Sequence, residues 1–285
     1  MSRFQRSWML TKASWGVLRA DRELLVLPIV SAITSAVVAA TFLVPAWFTI
    51  DETSTVDAFG NTTTQMNPTA LTYVLGALFY FVSAFLVIFF NAALVAGANQ
   101  RFDGEDPTLG SALGAAASRI GLIVQWSLVS ATVSMVIRQI QERGGLLGRL
   151  VGGVIGFAWS VVTFLVLPMI VVEGVGVGEA LRRSKDAVRS TWGENVIGQG
   201  GIGLVGVVAA IPALLLGVSG ALLFQTSAVL GVAMIGVAVV GMLAVTIVMA
   251  ALSGVYQTAL YRYAVALPVP SYDSATLAAA FAPKR

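Results

Sequence analysis

The chain has 285 residues, of which 57% are apolar and only 17 are basic and 14 acidic, with a mean hydropathy of +0.87. Soluble domains of this size carry about 25% charged residues against the 11% found here, so the surplus apolar surface calls for lipid and a soluble enzyme is excluded. Histidine and cysteine both count 0, which removes thiol nucleophiles, disulfides, histidine-based triads and zinc sites built on imidazole or thiolate.

Residues 1–23 predict an amphipathic interfacial helix. Phe4, Trp8, Thr11, Trp15 and Leu18 recur at spacings of 4, 3, 4 and 3, so both indoles share one stripe, while Arg3, Arg6, Lys12, Arg19 and Arg22 surround it with charge. That combination suits a headgroup layer. The charge-free run 24–50 gives a first span at about 24–48. Its 13 Leu, Ile, Val and Phe residues are together worth about −4 to −8 kcal/mol of insertion free energy. A cleaved signal peptide is the rival reading. The long basic region before the segment, the length of the apolar stretch and the lack of an A-x-A-like site argue against it. The loop 49–68 holds three acids and no base. Span two follows at about 69–98, inside the charge-free run 58–100, with Asn91 as a buried amide joining helices.

Asp106-Pro107-Thr108 predicts a second surface helix, with Asp106 as its N-cap and Pro107 at its first position, running toward Arg119. Span three, at about 120–138, is the most polar. Ser127, Ser130, Ser134, Arg138 and Gln141 share one helical face at spacings of 3, 4, 4 and 3. A water-lined path ending in an external arginine would look like this and would favour anions. The alternative is close helix contact through small serines, with Arg138 snorkelling outward. Span four, at about 150–172, carries Gly152-x-x-x-Gly156 and ends at Pro168 and Glu173. The proline ring loosens the bond to the Phe164 carbonyl, so Glu173 beside that kink is a candidate gate or cation site. The alternative is a boundary acid paired with nearby arginines.

A third surface helix sets Leu181, Ser184, Val188 and Trp192 against Arg182, Arg183, Asp186 and Arg189. The run 195–261 is long enough for two spans, at about 197–223 and 228–252, joined by the turn Phe224-Gln225-Thr226-Ser227. Span five carries the sharpest periodicity in the chain. Gly200, Gly203, Gly206, Ala210, Ala213, Gly217 and Gly220 recur at spacings of 3, 3, 4, 3, 4 and 3, a face for helix packing within one subunit or between subunits. Pro212 removes the bond to the Val208 carbonyl, which would also suit a discontinuous, substrate-facing helix. The six-span domain covers 24–267, and the proline-punctuated 268–285 predicts a short, loosely ordered cytoplasmic tail. Each surface helix precedes a pair of spans, an architectural unit used three times. Trp8, Trp15, Arg19, Arg22, Arg182, Arg183 and Trp192 are the expected interface anchors.

Orientation follows from basic residues near span ends. With both termini in the cytoplasm, 14 of the 17 lie inside; Arg138, Arg143 and Arg149, between spans three and four, are the exceptions. The expected location is a bacterial plasma membrane.

The segment Ser14-Trp15-Gly16-Val17-Leu18-Arg19-Ala20-Asp21-Arg22-Glu23-Leu24-Leu25-Val26-Leu27-Pro28 resembles the opening of an uncharacterised family of polytopic membrane proteins, a domain of unknown function common in actinobacteria and also found in archaea. Trp159-Ser160, Thr163, Phe164, Pro168, Glu173, Ala180-Leu181-Arg182-Arg183-Ser184 and Trp192-Gly193 fit the same resemblance. It implies about six spans and no catalytic or ligand residues.

Gly174-Val175-Gly176-Val177-Gly178 fails as a phosphate loop, because no soluble strand precedes it and no Gly-Lys-Ser/Thr follows. No G-x-S-x-G, H-E-x-x-H or pair of carboxylates within one span occurs. The expectation is an all-α, six-span bundle without enzymatic activity or cofactor. Its partners would be anionic lipid headgroups and either a second copy or another membrane protein, with nucleic acid unnecessary. The leading role is a membrane scaffold or assembly subunit that associates through span five; the alternative is a channel or carrier for a small anion or lipid, using span three.

Overall fold

An apolar segment in lipid satisfies its backbone most simply as a helix, and the computed structural model of the chain is built that way. It describes residues 3–21, 23–56, 59, 62–191 and 200–270. The elements are α1 (Arg3–Ala20), α2 (Glu23–Trp47), β1 (Ile50–Val56), β2 (Thr62–Pro68), α3 (Ala70–Phe102), α4 (Leu109–Ser118), α5 (Ile120–Arg143), α6 (Gly145–Val162), α7 (Val166–Pro168) with a π-helical turn at Met169–Glu173, α8 (Val177–Thr191), α9 (Gly200–Leu223) and α10 (Ala228–Ala264). Six helical segments are long and apolar enough to cross a membrane: α2, α3, α5, α6 through the π-turn, α9 and α10. The chain is a multi-pass helical membrane protein.

Several ends differ from the sequence expectation, because a helix need not stop where the hydrocarbon does. The clearest case is α10, whose 37 residues extend about 55 Å, well beyond a hydrocarbon core of about 30 Å. Helix α3 continues past residue 98 to Phe102, and α5 to Arg143. A glycine turn shortens the α5–α6 link. Gly145 takes φ +58, and a Cβ on Gly144 would lie 2.5 Å from the Gly148 Cα, so α6 begins at Gly145 and not near 150. Helix α9 runs unbroken through Pro212, which removes the discontinuous-helix reading. The N-cap of α4 is Thr108, not Asp106: its side chain accepts from Ser111 N at 3.1 Å while Ser111 Oγ accepts from Thr108 N at 3.0 Å.

Two compact units organise the fold. The first comprises 1–29, 91–119 and 157–285. Here α9 and α10 form an antiparallel pair, and α1 packs against both. Val17 and Leu18 of α1, Leu24 and Leu27 of α2, Val95 and Ala98 of α3, Ala112 and Ala116 of α4, Ile170, and Val255, Ala259 and Leu260 of α10 are all buried. Close approach is built from small residues. A Cβ on Gly97 would lie 2.6 Å from Leu24 Cδ2 and 3.3 Å from the Ala112 Cβ, and one on Gly254 would collide with Leu94. Asn91 Oδ1 also lies against Gly254, at 3.3 Å from the position of such a Cβ.

The second unit comprises 30–90 and 120–156. The segment expected as a polar loop forms a two-stranded antiparallel hairpin there, with Ile50 opposite Pro68 and Val56 opposite Thr62. Its threonines are β-branched, and they disguise a strand as a loop because the exposed hairpin has no apolar face to reveal it. A threonine knot fastens its base to α3: Thr69 Oγ1 and Thr72 Oγ1 donate to the Thr49 carbonyl at 2.8 and 2.9 Å.

Candidate functional site

Charge collects in the first unit around the C-terminal ends of α3 and α10. Arg262 is 3% exposed, and a buried guanidinium is tolerable only if its donors are satisfied. Four groups do this. Nη1 donates to Asp103 Oδ1 at 2.7 Å and Asn99 Oδ1 at 2.8 Å, Nε donates to the Pro268 carbonyl at 2.9 Å, and the Phe102 ring lies 5.8 Å from the guanidinium carbon. Next to it on α10, Tyr261 donates its hydroxyl to Glu173 Oε1 at 2.8 Å, and Arg183 of α8 donates to Oε2 at 2.8 Å. Arg183 also bonds Glu179 one turn away, at 2.6 Å. Both oxygens of the candidate gate acid Glu173 are therefore occupied, which makes it a fastener between α8, α10 and the end of span four.

A second pair closes the joint between α1 and α2. Asp21 Oδ2 sits 3.0 Å from Arg101 Nε, but as an ion pair without an aligned hydrogen bond. Burial raises the Asp21 pKa above its ordinary value, and Arg101 opposes that rise only in part. Glu23 accepts from the Leu109 amide at 2.7 Å, adding a carboxylate to the first turn of α4. Among the described residues, no cluster of three acidic side chains is arranged to hold a metal ion.

Span four is interrupted where Pro168 was expected to loosen it. Helix α6 ends at Val162, α7 restarts at Val166, and the π-turn ends at Gly174 in the left-handed region, φ +71. A side chain at Gly174 would strike Arg119, whose guanidinium nitrogens would lie 2.6 and 2.8 Å from its Cβ. The carbonyls freed by the break find other donors. Gln257 of α10 donates to the Phe164 carbonyl, and Ser184 of α8 donates to that of Val162 while accepting from the Leu165 amide at 3.3 Å. Pro168 itself is buried. Buried backbone polar groups require partners, and side chains about 20 and 93 residues away supply them.

The small-residue stripe of α9 divides in two. Its C-terminal half is closed by α10: Ala213 meets Gly241, Gly217 meets Ala238, and a Cβ on Gly220 would lie 3.0 Å from the Gly231 carbonyl oxygen. At the N-terminal half the helices part around a groove of about 540 Å³, lined by Gly203, Gly206, Val207 and Ala210 of α9 and Met242, Val245, Thr246, Met249, Ala250 and Ser253 of α10. Nothing lies within 4 Å of a Cβ placed on Gly203, whereas one on Gly206 would meet the flexible tip of Met249 at 3.0 Å. Gly200 opens the helix.

The residues on the serine face of span three differ in burial. Ser127 is fully buried and donates to its own helix, to Ile123 O at 2.8 Å. Ser130 is half-buried, Ser134 is exposed, and Gln141 packs where a Cβ on Gly152 would collide with it. Of the five candidates, Arg138 lines a cleft. That cleft, of about 510 Å³, lies in the second unit between α3 and α5 and is lined by Thr72, Tyr73, Gly76, Ala77, Tyr80, Phe81, Leu128, Ala131, Thr132, Met135, Arg138 and Gln139. The Tyr80 hydroxyl donates to the Ala131 carbonyl at 3.2 Å, tying the two helices.

Among the expected anchors, Trp15 is 37% exposed and Leu18 of the same stripe is fully buried, so this end of α1 is packed into protein on one side. Arg19 is exposed. Arg182 is exposed and lies 3.6 Å from Glu179. Arg22, Val188, Arg189, Trp192, the side chain of Trp8 and the tail from 271 lie outside the described residues or side chains.

The sequence reading missed the pairing of Arg262 with Asp103 and Asn99, of Tyr261 with Glu173 and of Asp21 with Arg101, and the donors that Gln257 and Ser184 supply to span four. Only Ser184, a small polar residue on the apolar side of α8, and Gln257, a lone amide near the end of an apolar run, carried a usable signal. The chain belongs to a family of unknown function (DUF6159), whose model matches residues 70–268. That match begins after the 14–28 segment that opened the resemblance. No curated protein and no solved structure matches the chain.

Proposed function

We propose that this protein is a non-catalytic assembly subunit of a bacterial plasma membrane, with both termini cytoplasmic, and that it associates with a second copy of itself through the groove between α9 and α10. The observation that carries this reading is the division of the small-residue stripe. Its C-terminal half is used up in the α9–α10 hairpin, while in the N-terminal half Gly203 stays open and Gly206 and Ala210 line a groove in which only the flexible Met249 side chain reaches Gly206. Helices associate in lipid by close backbone approach at small residues, and thioethers fill irregular gaps. The groove offers holes on α9 and knobs on α10, so two copies related by a two-fold axis along the membrane normal would each fill the other's holes. Exposed Arg19 and Arg182 supply contacts to anionic headgroups.

The chain contains 0 cysteines, so an introduced thiol is unique. Ala210→Cys in native membranes is expected to give a disulfide-linked dimer on mild oxidation, while Ala213→Cys, which faces Gly241, stays monomeric. Equal cross-linking at both positions, or none at Ala210→Cys, refutes the groove as an interface.

A further inference from the structure

The cleft between α3 and α5 in the second unit combines two surfaces that seldom occur together by accident. Gly76 of α3 and Leu128 and Met135 of α5 make it apolar along most of its length, while Tyr73, Arg138 and Gln139 gather at one end. Among the described residues, the side chains of those three polar residues form no hydrogen bond or ion pair with protein, although all three are donors. Thr72 differs, because its hydroxyl is engaged with Thr49.

Depth along the helix sorts the two surfaces. Arg138 lies 18 residues after Ile120, the start of α5, a rise of about 27 Å that nearly matches the hydrocarbon thickness. Its guanidinium therefore reaches headgroup level, while Leu128 and Gly76 lie at acyl depth. An unpaired guanidinium presents a planar fork matched to phosphate oxygens. Nothing lies within 4 Å of a Cβ placed on Gly76, so the apolar part is open to an alkyl chain.

We propose that this cleft is a binding site for one anionic phospholipid of the leaflet that borders Arg138, with the phosphate on Arg138 and Gln139 and an acyl chain along Gly76. This goes beyond self-association and does not depend on it. A small soluble anion would use the polar end but would leave the apolar length of the cleft empty.

Native mass spectrometry of the full chain in detergent, after addition of phosphatidylglycerol or phosphatidylcholine, provides the test. Phosphatidylglycerol should be retained about tenfold better. Arg138→Gln should abolish that preference, and Gly76→Leu, which adds bulk to open space, should abolish retention of both lipids. Arg143→Gln, an exposed cation outside the cleft lining, should leave the preference intact, and excess inorganic phosphate should not displace the lipid. Equal retention of the two lipids, an unchanged preference in Arg138→Gln, full retention in Gly76→Leu, loss of preference in Arg143→Gln, or displacement by phosphate would each overturn the assignment.

Discussion

Two arginines near span ends, one in each compact unit, are treated in opposite ways. Arg262 is 3% exposed and is held by Asp103, Asn99, the Pro268 carbonyl and the Phe102 ring. Arg138 is exposed beside a cleft and meets no such partner among the described residues. A desolvated cation stays in a fold only if the fold satisfies it, whereas one at the headgroup level costs little and remains available. The first arrangement therefore serves structure, and the second leaves binding capacity unspent.

Substitutions that remove each group make the contrast measurable. Arg262→Ala should be the most damaging, destabilising the protein by about 2–4 kcal/mol because a buried side chain is replaced by a cavity and the Asn99 and Pro268 acceptors lose their donor, while Asp103, 46% exposed, is left to water, as read from denaturant unfolding in detergent. A cost near zero would mean that the cluster is ornamental. Gln257→Leu comes next. It leaves the Phe164 carbonyl without the donor that compensates for the break before Pro168, at a cost of about 1–3 kcal/mol, visible as earlier thermal unfolding. Arg138→Ala should change stability by less than about 0.5 kcal/mol. A loss as large as that of Arg262→Ala would erase the distinction between the two units.

The spans were legible because hydrocarbon imposes a one-dimensional rule, a run without charge and about 20 residues long, and the runs 24–50, 120–137 and 195–261 obey it. The stripe on α9 was legible for the same reason, since its period lies within one helix. Its partner was not. Whether Gly217 meets Ala238 of the same chain or a second copy depends on a turn and a crossing angle that spacing alone does not encode. The ion-pair cluster was hidden by distance: Arg262 and Asp103 stand 159 residues apart, and each on its own reads as an ordinary charge at a membrane boundary. The threonine hairpin was hidden by its polarity. Glu173 was singled out for its position beside Pro168, but its use follows from Tyr261 and Arg183, which reach it from two other helices.

The proposal of self-association depends most directly on Gly203, which lines the groove and where an added Cβ meets nothing within 4 Å. The decisive quantity is the mass of the native assembly in lipid nanodiscs for the wild-type protein and for Gly203→Leu. A dimer that falls to a monomer in the variant, with helical content unchanged, is the result expected here; a variant whose mass equals that of the wild-type dimer would contradict it.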